Sequence, residues 1–459
     1  MIRSTVVWLC CLFVFESLQA DADAGWRAGA ASVVITPKSF MPMAGYASRG
    51  AKHAEGQLTD LFAKTLVLQA DDDQRVVLVT LDLVGLERQL ASEICQQLQQ
   101  DHGLQRSSIV LSCSHTHSGP VVAKNLRPMH YLLLDDADRQ LVDDYSEYLK
   151  SQVRAVVQQA IEGLAPAEVT RGQSEATFAV NRRNNREANV PLLREQGALK
   201  GPFDHSVPVL AVRRDGKLIA TAFGYACHCT VLAGMEWSGD YAGFATADLE
   251  QQHPGCIALF WAGCGGDQNP VPRKEVELAR KYGTELAAAV DSVLTADMTP
   301  VSAGLASSFD EIPLAFGELP SRMQLETDAQ DSNRYVASRA KSLLAQLDAG
   351  QPLPTTYPYP VTRWQLGNDL QWYFLGGEVV VDYALRIKAE LEGDGKPVWV
   401  AGYSQDVMAY IPSRRVLLEG GYEGGGAMIY YGRPTVWSEQ AEEQILREVH
   451  RQSEVDTAK

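Results

Sequence analysis

Hydrophobic positions fall into short dense runs separated by segments with helical spacing. Residues 29–36 form a strand-like run closed by Pro37, and a loop through Met41–Tyr46 leads to a second run at 61–69. Arg75–Leu81 is nearly all valine and leucine, the pattern of a strand buried on both faces. Leu86, Leu90, Ile94 and Leu98 then recur at helical spacing over 86–101. Ser108–Cys113 returns to β-branched and small residues. This order, a hairpin and then β-α-β, is the rhythm of an α/β domain.

The same alternation continues. Residues 139–163 predict a long amphipathic helix ended by Gly163 and Pro166, and short strands follow at 167–171 and 177–180. The runs 207–213 and 217–226 bracket Arg214-Asp215-Gly216, a hairpin turn. A helix reaches about residue 252, and a buried strand at 256–261 runs into the glycine-rich 262–270. Helices are expected at 274–295, 326–349, 379–392 and 437–452, and strands at 301–314, 370–375 and 397–402. The proline-rich 351–360 reads as a surface connection and the one weak internal boundary. The expected fold is α/β, mixed β-sheets flanked by helices, in one large catalytic domain over 25–459. Ligands in such domains collect at the carboxyl ends of strands.

Composition narrows the class. The chain has 459 residues, 46% hydrophobic and 21% charged, enough for a sizeable core. A net charge of −16 argues against nucleic-acid partners, which need clustered Lys and Arg. Asp71-Asp72-Asp73 reads as a solvated turn. Arg3, the apolar run Val6–Phe15 and small residues at Ala20, Ala22 and Ala24 predict a signal peptide over 1–24. That run is too short to span a membrane. The expected location is secreted or periplasmic, with transient membrane-surface contact as a further expectation. Cys95, Cys113, Cys227, Cys229, Cys256 and Cys264 lie beyond the signal and read first as small core residues, with room for one disulfide.

Candidate chemistry sits where strands end. His115 and His117 follow the 108–113 run, and residues two apart in an extended chain face one side. The pair suits one metal ion, or one ligand beside one acid–base group. His228 closes another strand, while Cys227 and Cys229 would face away from it. Asn181-Arg182-Arg183 ends the 177–180 strand, where an Arg pair is either solvated or clamps an anion. Gly263–Gly266 permits close backbone approach and offers N–H donors. Glu378 is placed at a strand end and a helix N-terminus, which favours its carboxylate form. There is no Gly-x-Ser-x-Gly elbow, no His-Glu-x-x-His, no P-loop and no dinucleotide glycine fingerprint.

Taken in order, Ile35-Thr36-Pro37, Met43–Tyr46, His115-Thr116-His117-Ser118-Gly119-Pro120, Asn181-Arg182, His228 with Ser238-Gly239-Asp240, Gly266-Asp267, Gly377-Glu378, and Tyr410 with Tyr422-Glu423 resemble the neutral, non-lysosomal ceramidase family from about residue 28 to 430. The resemblance implies a zinc amidohydrolase that cleaves the N-acyl amide of ceramide or a related N-acyl lipid with a metal-activated water. The products would be a fatty acid and an amine such as sphingosine. It implies Zn2+ held by His115, His228, Glu378 and Tyr410, with His117, Arg182 and Tyr422 against the reacting amide. Family members commonly carry a second, immunoglobulin-like domain, expected here to be absent. Their Gly-Asp-x-Ser pattern reads Gly266-Asp267-Gln268-Asn269, which argues against a serine nucleophile. A zinc hydrolase of another amide or ester, and a non-catalytic binding protein, are the alternative readings.

Overall fold

The computed structural model describes residues 25–70, 74–393 and 396–454. The signal segment and the Asp71–Asp73 turn lie outside the described residues. Two sheets carry the architecture. The larger runs, in spatial order, Ile257–Ala262, Lys217–Tyr225, Ser206–Arg214, Ala165–Glu175, Trp26–Val34, Phe62–Gln69, Arg75–Leu81 and Ile109–Cys113, with Thr299–Pro300 paired onto its Ala165–Glu175 strand. The smaller runs Leu305–Ala315, Thr356–Leu366, Leu370–Leu375 and Val398–Ala401.

Most pairs are antiparallel, but three parallel pairs matter for the site. Arg75–Leu81 pairs Ile109–Cys113, Lys217–Tyr225 pairs Ile257–Ala262, and Leu370–Leu375 pairs Val398–Ala401. Parallel neighbours need a crossover. The helices Arg88–His102, Asp240–Gln252 and Val381–Leu391 supply the three crossovers.

The two faces of each strand enter different cores. Leu66, Leu78, Leu210, Leu259 and Trp261 of the large sheet share one cluster with Trp364, Trp372 and Trp399 of the small sheet, so the sheets pack face to face. Trp261 lies 5.3 Å from Trp372 and 6.2 Å from Trp399, centroid to centroid. The alternate residues Val77, Val79, Leu111, Tyr373 and Val400 join a larger cluster with helical residues such as Leu90, Ile94, Val153 and Ile387. Strands buried on both faces explain why Arg75–Leu81 lacks polar alternation.

At one end the sheets are stitched together. Ser112 bridges Ser404 and Gly263 bridges Ala401. Cys113 N–H donates to Tyr403 O at 3.1 Å, and Gly402 N–H to Ala262 O at 3.0 Å. All the site loops leave from this end.

Several expectations change. The 326–349 helix is two helices, Arg322–Asp328 and Arg334–Asp348. Asn333 breaks the run by accepting from Tyr335 N–H, the local competition that makes Asn a cap. The 351–360 connection becomes strand from Thr356 onward. Its prolines are tolerated because only Val361–Leu366 is paired on the Leu370–Leu375 side, which leaves Pro358 and Pro360 on an open edge. The 379–392 helix begins at Val381, after a two-residue strand Glu378–Val379 paired to Tyr410–Ile411. All six cysteines are free and buried, as the core reading expects, and none joins a disulfide.

Leu111, on the buried strand that delivers the first histidine, is 1% exposed. Leu111→Ala is expected to cost about 3 kcal/mol of unfolding free energy. Urea denaturation would read this as a lower midpoint at unchanged slope; a loss under about 1 kcal/mol would contradict the packing described.

Candidate metal centre

His115 leaves the Ile109–Cys113 strand with φ +60°. The chain is therefore not extended at this pair, and the same-side argument from strand alternation does not apply. The imidazoles converge all the same, 4.7 Å apart between centroids, because the turn folds His117 back. Gly45, at φ +92°, makes room for it: a Cβ there would sit 2.6 Å from the His117 ring. Tyr46 packs on that ring at 4.8 Å.

His228 follows Lys217–Tyr225, and its ring centroid is 4.8 Å from that of His115. Ligand atoms of His115, His117 and His228 all lie within 4.8 Å of one another. The small sheet adds the oxygens. Glu378 Oε2 stands 3.1 Å from His115 Nε2 and 3.0 Å from His228 Nε2. Tyr410 Oη lies 3.2 Å from His228 Nε2. His115, His228, Glu378 and Tyr410 are all buried.

The proton assignments decide what this cluster wants. His115 Nδ1 faces the Val84 carbonyl at 2.5 Å, and His228 Nδ1 faces the Gly265 carbonyl at 2.7 Å. A carbonyl only accepts, so each Nδ1 carries the hydrogen and each neutral ring leaves its Nε2 bare. Burial lowers the His228 pKa to about 4, with Arg182 acting in the same direction. Burial works against the Glu378 carboxylate, but the protonated forms of His115 and His228 outweigh it and hold its pKa well below the usual range, so a proton entering the cluster goes to a histidine and Glu378 stays ionised. Two bare nitrogens thus meet one anionic oxygen at 3.0–3.1 Å. Two lone pairs and a negative charge facing one another form a set that a cation would fit. A tetrahedron with bonds of about 2.0–2.1 Å has edges of about 3.3 Å, close to these separations, and nitrogen with hard oxygen suits zinc.

Outer contacts orient each group, as metal sites require. Tyr431 donates its hydroxyl to Glu378 Oε1, leaving Oε2 for the cluster. Arg182 donates from its terminal nitrogens to Tyr410 Oη at 3.0 Å and to Asn269 Oδ1 at 3.1 Å, and from Nε to Glu423 Oε1 at 2.7 Å. Burial opposes the Arg182 charge, but Tyr410 and Glu423 raise its pKa well above the ordinary value. Glu423 also pairs Arg183 at 2.6 Å, so the Arg pair is clamped rather than solvated.

Other expectations shift. Glu378 stands in a strand pair rather than at a helix N-terminus, so the histidines, not a helix dipole, keep it ionised. The glycine loop contributes the Gly265 carbonyl to His228. A Cβ at Gly265 would lie 2.7 Å from Cys227 N, so only glycine permits that approach. Cys227 and Cys229 stay outside the cluster, buried, with thiols pushed far up by burial. Tyr422 is 48% exposed, its ring 5.3 Å from Tyr410, and among the described residues its hydroxyl has no hydrogen-bond partner.

Sequence reasoning assigned no role to three supporting residues. Arg49, 5% exposed, donates to the carbonyls of His117, Ala44 at 2.7 Å and Gly234 at 2.6 Å, and so pins the histidine loop. Asp240 accepts from the N–H groups of Val231, Leu232 and Tyr241 beyond His228. Tyr431 is the third. A lone Arg, Asp or Tyr carries no periodic signal, so only the tertiary contacts reveal what each one does.

Outside Tyr410 and Arg182 a cleft of about 500 Å³ opens, lined by Arg182, Arg183, Arg186, Glu187, Asn269 and Tyr422 among others.

The family model for neutral/alkaline non-lysosomal ceramidase, N-terminal, matches residues 26–308, more than half of the chain. The chain belongs to that family. Its fold is similar to the crystal structure of neutral ceramidase from Pseudomonas aeruginosa, at TM-score 0.69 and 19% identity over 92% of this chain and 73% of that one. It is also similar to a ceramidase complexed with C2, at TM-score 0.71 and 19% identity over 93% and 76%. Membership of this family supports a hydrolase of amide bonds. Among the described residues no helix is long and apolar enough to cross a membrane.

The His228 shift fixes a sign for pH. Its folded pKa is depressed, so the neutral ring adds stability that is complete above the unfolded value near 6.5 and lost as pH falls through about 4. In metal-free protein this one group accounts for roughly 3 kcal/mol across that window. Urea denaturation of metal-free wild type and His228→Gln at pH 7 and pH 4.5 should show the wild type losing more. Parallel losses would contradict a neutral buried His228.

Proposed function

We propose that this chain is an exported zinc-dependent amidohydrolase that cleaves the N-acyl amide of ceramide or a related N-acyl lipid. The convergence of bare His115 Nε2 and His228 Nε2 on the ionised Glu378 Oε2 carries the metal half of this reading. Family membership supports the amidase half. The apolar run and small residues of 1–24 support export.

His115, His228, Glu378 and Tyr410 would hold the ion. When bound, zinc supplies Lewis acidity and lowers the pKa of a water to near neutral. His117 stands beside this set with Nε2 3.0 Å from His115 Nε2. Burial, then His115 and His228, push its pKa well below the ordinary value, so it is a neutral base at pH 7. It takes the proton from the attacking water and passes it to the leaving nitrogen. The C–N bond breaks, the acyl carbon keeps the hydroxyl as a fatty acid, and the amine leaves with the proton. Arg182 stays cationic beside the site, and its field favours the negative charge growing on the carbonyl oxygen. The unpaired, half-exposed Tyr422 hydroxyl donates to that oxygen from the cleft side. Leu418 and Tyr422, 56% and 48% exposed, give apolar surface beside the cleft for transient contact with a lipid surface.

One observation favours a second reading, a zinc hydrolase of a more polar amide or ester. The cleft that would receive the substrate is lined by three arginines, three glutamates and two asparagines.

Purified protein should carry one zinc per chain, lost in His115→Ala, His228→Ala and Glu378→Gln by elemental analysis. His117→Ala should keep its zinc while ceramide hydrolysis falls at least about 100-fold. Zinc lost from His117→Ala would move this residue into the ligand set. Wild type that binds no supplied zinc would overturn the hydrolytic mechanism.

A further inference from the structure

The net charge of the chain is −16, yet the cleft outside Tyr410 and Arg182 is lined by three arginines and three glutamates, and the pairing of those charges leaves one guanidinium over. Arg182 and Arg183 share Glu423, and Arg183 also reaches Glu419. Glu187 is held by Arg273 at 2.8 Å, and Glu419 is shared with Arg415 at 2.9 Å. Every carboxylate lining the cleft is therefore already committed to an arginine. Arg194, behind the floor, spends its guanidinium on the carbonyls of Val271 and Phe178 and brings no carboxylate with it. Arg186 lines the same cleft, is exposed, and among the described residues its guanidinium has no hydrogen-bond or ion-pair partner. The floor beneath is apolar, formed by Val180, Val190 and Val271.

An apolar floor beside one unpaired guanidinium suits a ligand with a carbon skeleton and one negative group. Neutral ceramide has no such group to offer. We propose that the cleft binds the amine half of the substrate, that this half carries an anion such as a carboxylate, and that Arg186 is the specificity-determining residue that pairs with it. This rests on the amidase reading for the position of the cleft beside the reacting amide. The substrate class is then an N-acyl amino acid or similarly anionic N-acyl amine. The guanidinium fork matches a carboxylate in two parallel hydrogen bonds. The reaction is plain hydrolysis: water adds, the C–N bond breaks, and a fatty acid and an anionic amino compound leave.

Binding separates this from catalysis. N-dodecanoylglycine and N-dodecanoylglycinamide differ only in the negative charge. Calorimetric titration of the metal-free full chain at low salt should give on the order of tenfold tighter binding of the glycine compound, the scale of one charge-assisted pair at a partly open site. The preference should shrink as salt rises, vanish in Arg186→Ala and reverse in Arg186→Glu. Equal binding of both compounds to wild type would overturn the proposal, and so would a preference that survives Arg186→Glu. The zinc-loaded protein then tests the underlying reading alone. Selective binding with no cleavage of either compound would leave the cleft proposal standing and remove the amidase reading.

Discussion

Everything at the active end of this protein follows from one electrostatic constraint: atoms that cannot share hydrogens have been brought together. Val84 and Gly265 supply only carbonyl oxygens, so they dictate where the His115 and His228 hydrogens go. Those hydrogens face away from the centre, and the lone pairs face into it. Glu378, pinned through its other oxygen by Tyr431, then adds a full negative charge at 3.0–3.1 Å. Burial makes such a set costly unless a cation neutralises it. The protein tolerates the arrangement because each group is locked by a contact outside the cluster. That is the construction expected of a site whose ligands are oriented before the metal arrives.

The same constraint explains the division of labour around Tyr410. Its hydroxyl faces His228 on one side and accepts from Arg182 on the other. Arg182 is fixed in turn by Glu423 and Asn269. Where the family resemblance implies a serine, this chain has Asn269, and the structure gives that side chain a use as an acceptor for Arg182. A serine hydroxyl is shorter and would not span the same 3.1 Å contact without movement. The Asn therefore belongs with the arginine system and with the polar cleft it borders.

Much of this was legible in the sequence, and unevenly so. The β-α-β order, the fully apolar Arg75–Leu81 strand and the strand-end histidines were readable because local period and residue type carry them. His115 and His117 were found by spacing, although the reason given for their convergence was wrong; a left-handed turn does it, not pleat alternation. Glu378 was found, but its partner was misread as a helix terminus, because a two-residue strand has too few residues to leave a pattern. Asn333 starts a second helix where apolar spacing alone would have continued the first. Asp240 was visible only as part of the Ser238-Gly239-Asp240 resemblance, without a role, and Arg49 and Tyr431 could not be read at all. Each works through contacts with main-chain groups or side chains distant in sequence.

The source of the four proposed ligands has a consequence for the fold. His115 and His228 follow strands of the large sheet, while Glu378 and Tyr410 face each other on the two-stranded pair that follows the small one. Their spacing is therefore set by how the two sheets pack, which depends on the tryptophan layer of Trp261, Trp364, Trp372 and Trp399 and on the stitches at Ser112–Ser404 and Gly263–Ala401. A shift of one sheet on the other by even 1 Å would pull Glu378 from the histidines. In the other direction, an ion bound by both halves would clamp the sheets at the end where their backbones already join. Metal binding energy would then become folding energy, and the tryptophan core and such a site would stabilise one another although no side chain is common to both.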